Sequence, residues 1–246
     1  MGLPMQPLEL DGLPKAAGSF PQRSDPGPNL ATQAYSHLRS LILGRHILGG
    51  TGLSEGRLAV ELNVSRTPMR EALVRLAGER LLEKTTEGIY RVRSVSIREF
   101  FECMEVREVL ECHAIERAIG VARDADLQAL HDELKALPAS SQDDLAHWQF
   151  DNRFHSFFAT TAQNQALARA IQRERVVARL FRLSSPFHRQ AESDEEHIEI
   201  LDAVMLRDVK SAQAAMRRHL QNLQNDARRE IESQAYPGHR HQQDLE

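Results

Sequence analysis

The sequence predicts a mainly α-helical protein in two parts: a three-helix module closed by a two-stranded hairpin, then an all-helical bundle of about six helices. Apolar residues recur at helical spacing from Leu30 to Leu76, the period of helices with one buried face. Between Leu81 and Val92, extended residues flank a Glu87-Gly88 turn, as in a hairpin. Beyond Val95 no strand pattern recurs, and helix-forming runs are separated at Pro138, Asn164, Pro186 and Asp208.

A chain of 246 residues suffices for two ordinary domains, and 41% hydrophobic with 27% charged residues is a globular composition. It holds no apolar run of about 18 residues, and its N-terminus lacks a basic stretch leading into an apolar one. Neither a membrane span nor a secretion signal is expected, so the protein should be cytoplasmic. Cys103 and Cys112 lie nine apart on one expected helix, on opposite faces and about 13 Å apart along the axis, which argues against an internal disulfide. Charge divides unevenly: residues 30–94 hold ten Arg or Lys against six Asp or Glu, whereas residues 95–246 hold nineteen against twenty-six. A basic first module suits contact with phosphates.

Residues 1–29 carry frequent Pro and Gly without a sustained apolar period and are expected to form a flexible arm. In the first module, residues 30–94, Ala31, Tyr35, Leu38 and Ile42 form the inner stripe of a helix ending near Gly44. Ser54 can cap a short second helix that turns Leu58, Ala59 and Leu62 inward before Asn63 breaks it. A third helix opens at Ser65, whose hydroxyl can accept from a first-turn amide; Pro68 is tolerated there, and Met69, Leu73 and Leu76 face the core. Two short helices followed by a hairpin make a winged helix-turn-helix.

Leu58-Ala59, Val64-Ser65-Arg66-Thr67-Pro68-Met69-Arg70-Glu71-Ala72-Leu73, Arg75-Leu76 and Leu81-Leu82 resemble the helix-turn-helix of the GntR family. The resemblance implies that Arg66 and Arg70 meet base edges and phosphates of double-stranded operator DNA, with Ser65 and Thr67 on the backbone. Arg66 and Arg70, four apart, project at neighbouring angles off the core stripe, and arginine can pair bidentately with guanine. Arg57 on the second helix is a candidate for a further phosphate contact, a solvated surface charge being the other reading. Gly56 departs from helix-forming preference, and the wing lacks a second glycine.

The second part, residues 95–235, opens with a Ser96/Glu99 capping box and reads as helices at about 96–120, 124–137, 142–162, 165–183, 193–206 and 208–233. A flexible tail, 236–246, follows. Within the bundle Asp151 and His155 are four apart, about 6 Å along one helix and 40° around it, so both can face one centre. His197 lies among Ile200, Leu201 and Val204, and His219 among Ala212, Ala215, Met216 and Leu223; both ride on inward stripes. One carboxylate and three imidazoles suit a divalent ion such as zinc, nickel or manganese. His147, one turn before Asp151, reads as solvated, and His239 and His241 belong to the tail.

The segments around Asp151-Asn152-Arg153-Phe154-His155, Glu196-His197 and Met216-Arg217-Arg218-His219 are similar, in the same order, to the metal-bearing segments of the FCD ligand-binding domain of the FadR-type GntR subfamily. That resemblance also places Arg107 near the metal pocket, where it could neutralise a bound carboxylate; an i, i+4 surface pair with Glu111 is the other reading of Arg107. The expected protein is a homodimeric DNA-binding transcription regulator, not an enzyme, controlled by a small organic acid at a metal-containing pocket. Direct metal sensing and a metal-dependent hydrolase are the alternatives. The Arg93–Ile97 segment is the expected hinge between the parts.

Overall fold

In the computed structural model, the described residues are 30–137, 144–184 and 189–235. The expected arm, the tail with His239 and His241, and the breaks at Pro138 and Pro186 lie outside them. The chain divides into two compact units, Met1–Phe100 with Arg175–Pro186, and Phe101–Glu174 with Phe187–Glu246.

In the first unit, α1 (Leu30–Leu43), α2 (Glu55–Glu61) and α3 (Arg66–Gly78) surround a core to which α1 gives Ala34, Leu38 and Ile42 and α3 gives Met69, Leu73 and Leu76. A polar clamp at the edge joins α1 to the end of α3: the Tyr35 hydroxyl donates to Glu79 at 2.6 Å, and the Arg75 guanidinium lies 3.6 Å from the centre of the Tyr35 ring. Asn63 ends the second helix with a left-handed backbone, φ 49°, a conformation asparagine adopts more readily than most residues. Arg179, in the part of helix α7 (Gln165–Ser184) that belongs to this unit, donates twice to the Leu43 carbonyl (3.2 and 2.7 Å), satisfying an acceptor that the end of α1 leaves open.

The hairpin pairs β2 (Leu82–Lys84) with β3 (Tyr90–Val92), in register Leu82 to Val92. Gly88 takes φ +80° in its turn, a conformation that costs glycine little. A third strand, β1 (Gly52–Leu53), pairs with the other edge of β3 to give the order β1-β3-β2. Sequence reading foresees only the two strands of the hairpin, because two residues are too few to alternate. Ser54 and Ser65 stand at helix starts with extended backbone, yet neither makes the expected side-chain cap. Ser65, Arg66 and Thr67 are exposed, so the first-turn amides of α3 reach solvent without the hydroxyl.

The six helices expected in the second part are α4 (Ile97–Ala118), α5 (Asp124–Lys135), α6 (Asp144–Thr161), α7 (Gln165–Ser184), α8 (Gln190–Met205) and α9 (Val209–Ala235). Only half of the capping box forms: Ser96 Oγ accepts from Glu99 N at 3.1 Å, while the Glu99 carboxylate pairs with Arg93. The division between units falls inside α4, after Phe100; in the Arg93–Ile97 segment, Arg93 pairs with Glu99 and donates its amide to Leu81 O at 3.0 Å. Asn164 caps α7 by accepting from the amides of Ala166 and Leu167, both at 3.1 Å. Ala114, Ala159, Ala162, Leu167 and Ile171 form a core cluster where small residues bring α4, α6 and α7 together. Cys103 and Cys112 are buried free thiols. No helix among the described residues is long and apolar enough to cross a membrane.

Candidate metal centre and DNA-reading helix

Helix α3 separates two chemistries by its period. Met69, Ala72, Leu73 and Leu76 are buried, whereas Arg66, Thr67 and Arg70 are exposed. The Arg70 guanidinium is held by Glu55, at the start of α2, through parallel bonds from Nε and Nη2, each 3.0 Å. Those hydrogen bonds keep the Glu55 carboxyl below its usual range. Arg57 is also exposed. The side chains expected to read DNA, Arg57, Ser65, Arg66, Thr67 and Arg70, are thus all exposed, and Arg70 is paired with Glu55.

In the bundle, helix packing brings four sequence-distant groups together. Asp151 and His155 come from α6, His197 from α8 and His219 from α9, and their potential donor atoms all lie within 4.8 Å of one another. Asp151 Oδ1 is 3.5 Å from His155 Nε2 and 3.8 Å from His197 Nε2. The ring centres of His197 and His219 are 4.7 Å apart. The histidine side chains are at most 1% exposed, whereas Asp151 keeps 22%, so the cluster opens on the Asp151 side. His155 Nε2 and His219 Nε2 are buried with no hydrogen-bond partner among the described residues. A buried lone pair is costly unless something occupies it. The donor set fits a divalent transition ion.

Carboxylates on the far side orient two of the rings. His155 Nδ1 pairs closely with Glu111 Oε2, and His219 Nδ1 lies 2.7 Å from Glu196 Oε2. Burial would raise the Glu196 carboxyl, but bonds from His219, Arg189 and Asn222 hold it at about 2. His219 is pushed down to about 4 by burial, against the pull of Glu196. At neutral pH the carboxylate is thus charged and the imidazole neutral, with its Nδ1 proton directed at Glu196 and its Nε2 lone pair free for an ion.

Arg107 is buried, not on the surface, and so is Glu111: Nε donates to Glu111 Oε1 at 2.6 Å and Nη1 to Met104 Sδ at 3.4 Å. Burial opposes the charge, but Glu111 outweighs it and raises the Arg107 pKa, with a smaller contribution from Asp151. The i, i+4 pair foreseen from spacing exists, inside the protein. His147 departs from its solvated reading: it is 8% exposed, with Nδ1 3.0 Å from Asp194 Oδ2 on α8. Sequence reasoning named Glu111 only as a surface partner of Arg107 and gave no role to Glu196, Arg189 or Asn222. A signal existed for Glu111, which shares the inward stripe of Met104, Arg107 and Ala114; Glu196 and Asn222 gain meaning only when α8 meets α9.

The family pattern described as "Bacterial regulatory proteins, gntR family" matches residues 30–89, and the FCD domain pattern matches residues 102–222. The chain belongs to the GntR family. It is a GntR-family DNA-binding transcriptional regulator with an FCD domain, and not an enzyme. Similar proteins include the HTH-type transcriptional repressor RspR of Escherichia coli, 29% identical over 203 residues that cover 80% of this chain and 88% of the relative. The uncharacterized HTH-type regulator YdfH of another Escherichia coli strain is 28% identical over 211 residues, 83% of this chain and 91% of the relative. Among solved structures, E. coli McbR/YncC superposes with a TM-score of 0.68 at 22% identity, covering 83% of this chain and all of that one, a likeness of fold. The GntR match contains Arg57, Ser65, Arg66, Thr67 and Arg70; the FCD match contains Arg107 and all four clustered donors.

Proposed function

We propose that this GntR-family protein works in the cytoplasm as a homodimer that reads operator DNA with Arg66 and Arg70, helped by Arg57, Ser65 and Thr67, under the control of a small organic acid bound at a metal-containing pocket of the FCD domain. The observation that carries the effector half is the convergence of Asp151, His155, His197 and His219 within 4.8 Å, with buried imidazole nitrogens facing inward. Zinc, nickel or manganese suits one carboxylate and three imidazoles; when bound, the ion supplies open coordination positions for the oxygens of an acid.

The chain's own residues do the rest. Asp151 forms the open rim, Phe154 packs against His197 at 4.2 Å between ring centres, and Arg107, bonded to Glu111 at 2.6 Å, is the side chain assigned to orient a bound acid. On the DNA side, Arg66 and Arg70 supply base and phosphate contacts, and a dimer would present two such helices to half-sites about one helical turn apart. An effector acts by preferring one arrangement of the regulator over another.

The test is elemental analysis of protein purified without chelators, followed by calorimetry against a panel of small carboxylates and operator titration with each hit. One divalent ion per chain and an acid that shifts operator affinity are expected. Absence of metal after reconstitution, or acids that bind without changing operator affinity, would overturn the effector half.

A further inference from the structure

The candidate centre is flanked by two chains of the same construction, one buried and one partly buried. In one, His155 on α6 meets Glu111 on α4, whose other oxygen accepts from Arg107 Nε at 2.6 Å. In the other, His219 on α9 meets Glu196 on α8 at 2.7 Å, and Arg189 just before α8 donates to both oxygens of Glu196, at 2.8 and 3.0 Å. Asn222, one turn beyond His219, adds a bond to Glu196 at 2.6 Å. Arg107, Glu111 and Arg189 are each under 5% exposed.

Resting on the metal reading above, we infer that Glu111 and Glu196 are positioning residues that fix the rings of His155 and His219 with Nε2 inward, and that Arg107 and Arg189 hold those carboxylates in place. Each carboxylate accepts the Nδ1 proton, which selects the tautomer with a free Nε2 and strengthens that nitrogen as a donor. Each arginine cancels the charge of its carboxylate, so two acids, Glu111 buried and Glu196 partly buried, can stand behind the histidines without adding to the negative charge of Asp151. Arg107 thereby acts on the centre through Glu111.

The two chains differ in a way that makes the test clean. Arg189 also pairs with Asp226 at 2.6 Å, so Glu196→Gln leaves that guanidinium a counter-charge. Arg107 pairs with Glu111 alone among the ion pairs of the described residues. Glu111 is therefore changed together with its partner, as Arg107→Met/Glu111→Gln, to avoid stranding a buried charge. Gln keeps the size of Glu and can still accept the Nδ1 proton.

The experiment measures zinc affinity by competition with a chromophoric chelator, the visible spectrum of the cobalt-loaded protein, and the melting temperature of metal-free protein. Arg218→Gln, next to His219 but exposed and paired with Glu199, is the control. Outer-layer partners typically contribute 10- to 100-fold to metal affinity. The expected result is a loss of that order in Glu196→Gln and in the double variant, with altered cobalt spectra, while Arg218→Gln matches wild type. Wild-type affinity and an unchanged spectrum in both variants would overturn the inference while leaving the metal reading intact. A wild-type protein that binds neither zinc nor cobalt would overturn both.

Discussion

Arg70 and Glu55 are joined by two parallel hydrogen bonds of 3.0 Å that tie the start of α2 to the outer face of α3. The pair orients a side chain that the GntR reading assigns to DNA. It lies at the surface, where such pairs contribute little to folding. Its consequence is sought in DNA binding instead.

Arg66→Ala and Arg70→Ala are each expected to reduce specific operator binding by about 1–3 kcal/mol if each pairs bidentately with a base. Circular dichroism should be unchanged. Gel-shift titrations against operator and scrambled duplexes give the readout; equal operator affinity in wild type and both variants would remove α3 as the reading helix.

Metal removal should lower the melting temperature of the wild type and leave His197→Ala unaffected. Linkage requires an ion that binds only the native state to stabilise it, by about 2.7 kcal/mol at a free concentration 100 times the dissociation constant. Calorimetric scans with and without chelator check this. A wild-type melting temperature indifferent to the chelator contradicts the proposed centre.

An acid that regulates DNA binding must also bind with altered affinity when operator is present, by the same factor. Coupling of about 1–3 kcal/mol, or 5- to 150-fold, is typical. Arg107→Ala and His197→Ala should weaken acid binding. Any acid that binds equally with and without operator is not the effector.

Asn164→Ala should destabilise the fold by about 0.5–2 kcal/mol, since its side-chain oxygen caps two amides of α7. Urea unfolding is the measurement, and no change in midpoint would show that solvent caps α7 equally well.

Burial pushes the Cys112 thiol up to about 11. In a Cys103→Ser variant, alkylation of native protein should stay slow at pH 8 and quicken only as pH rises towards that value, because the thiolate is the reactive form. Rapid reaction at pH 8 would show that the thiol is neither buried nor shifted.

The sequence by itself determined the helices, the hairpin and the four clustered donors, because these follow from local periodicity. Asp151 and His155 face one way through their spacing of four, and His197 and His219 declared themselves by riding on apolar stripes. Tertiary structure decided what periodicity cannot express. The two-residue β1 exists only because β3 offers it an edge. Ser65 needs no cap because its turn faces solvent. His147 is buried because α8 brings Asp194 against it. Whether Arg107 and Glu111 form a surface pair or a buried one depends on what covers their face of α4, and the bonds of Glu196 to His219 and Asn222 arise only where α8 packs on α9. Period tells which way a side chain points along its own helix; the partner it meets is set by a residue many turns away, placed by packing.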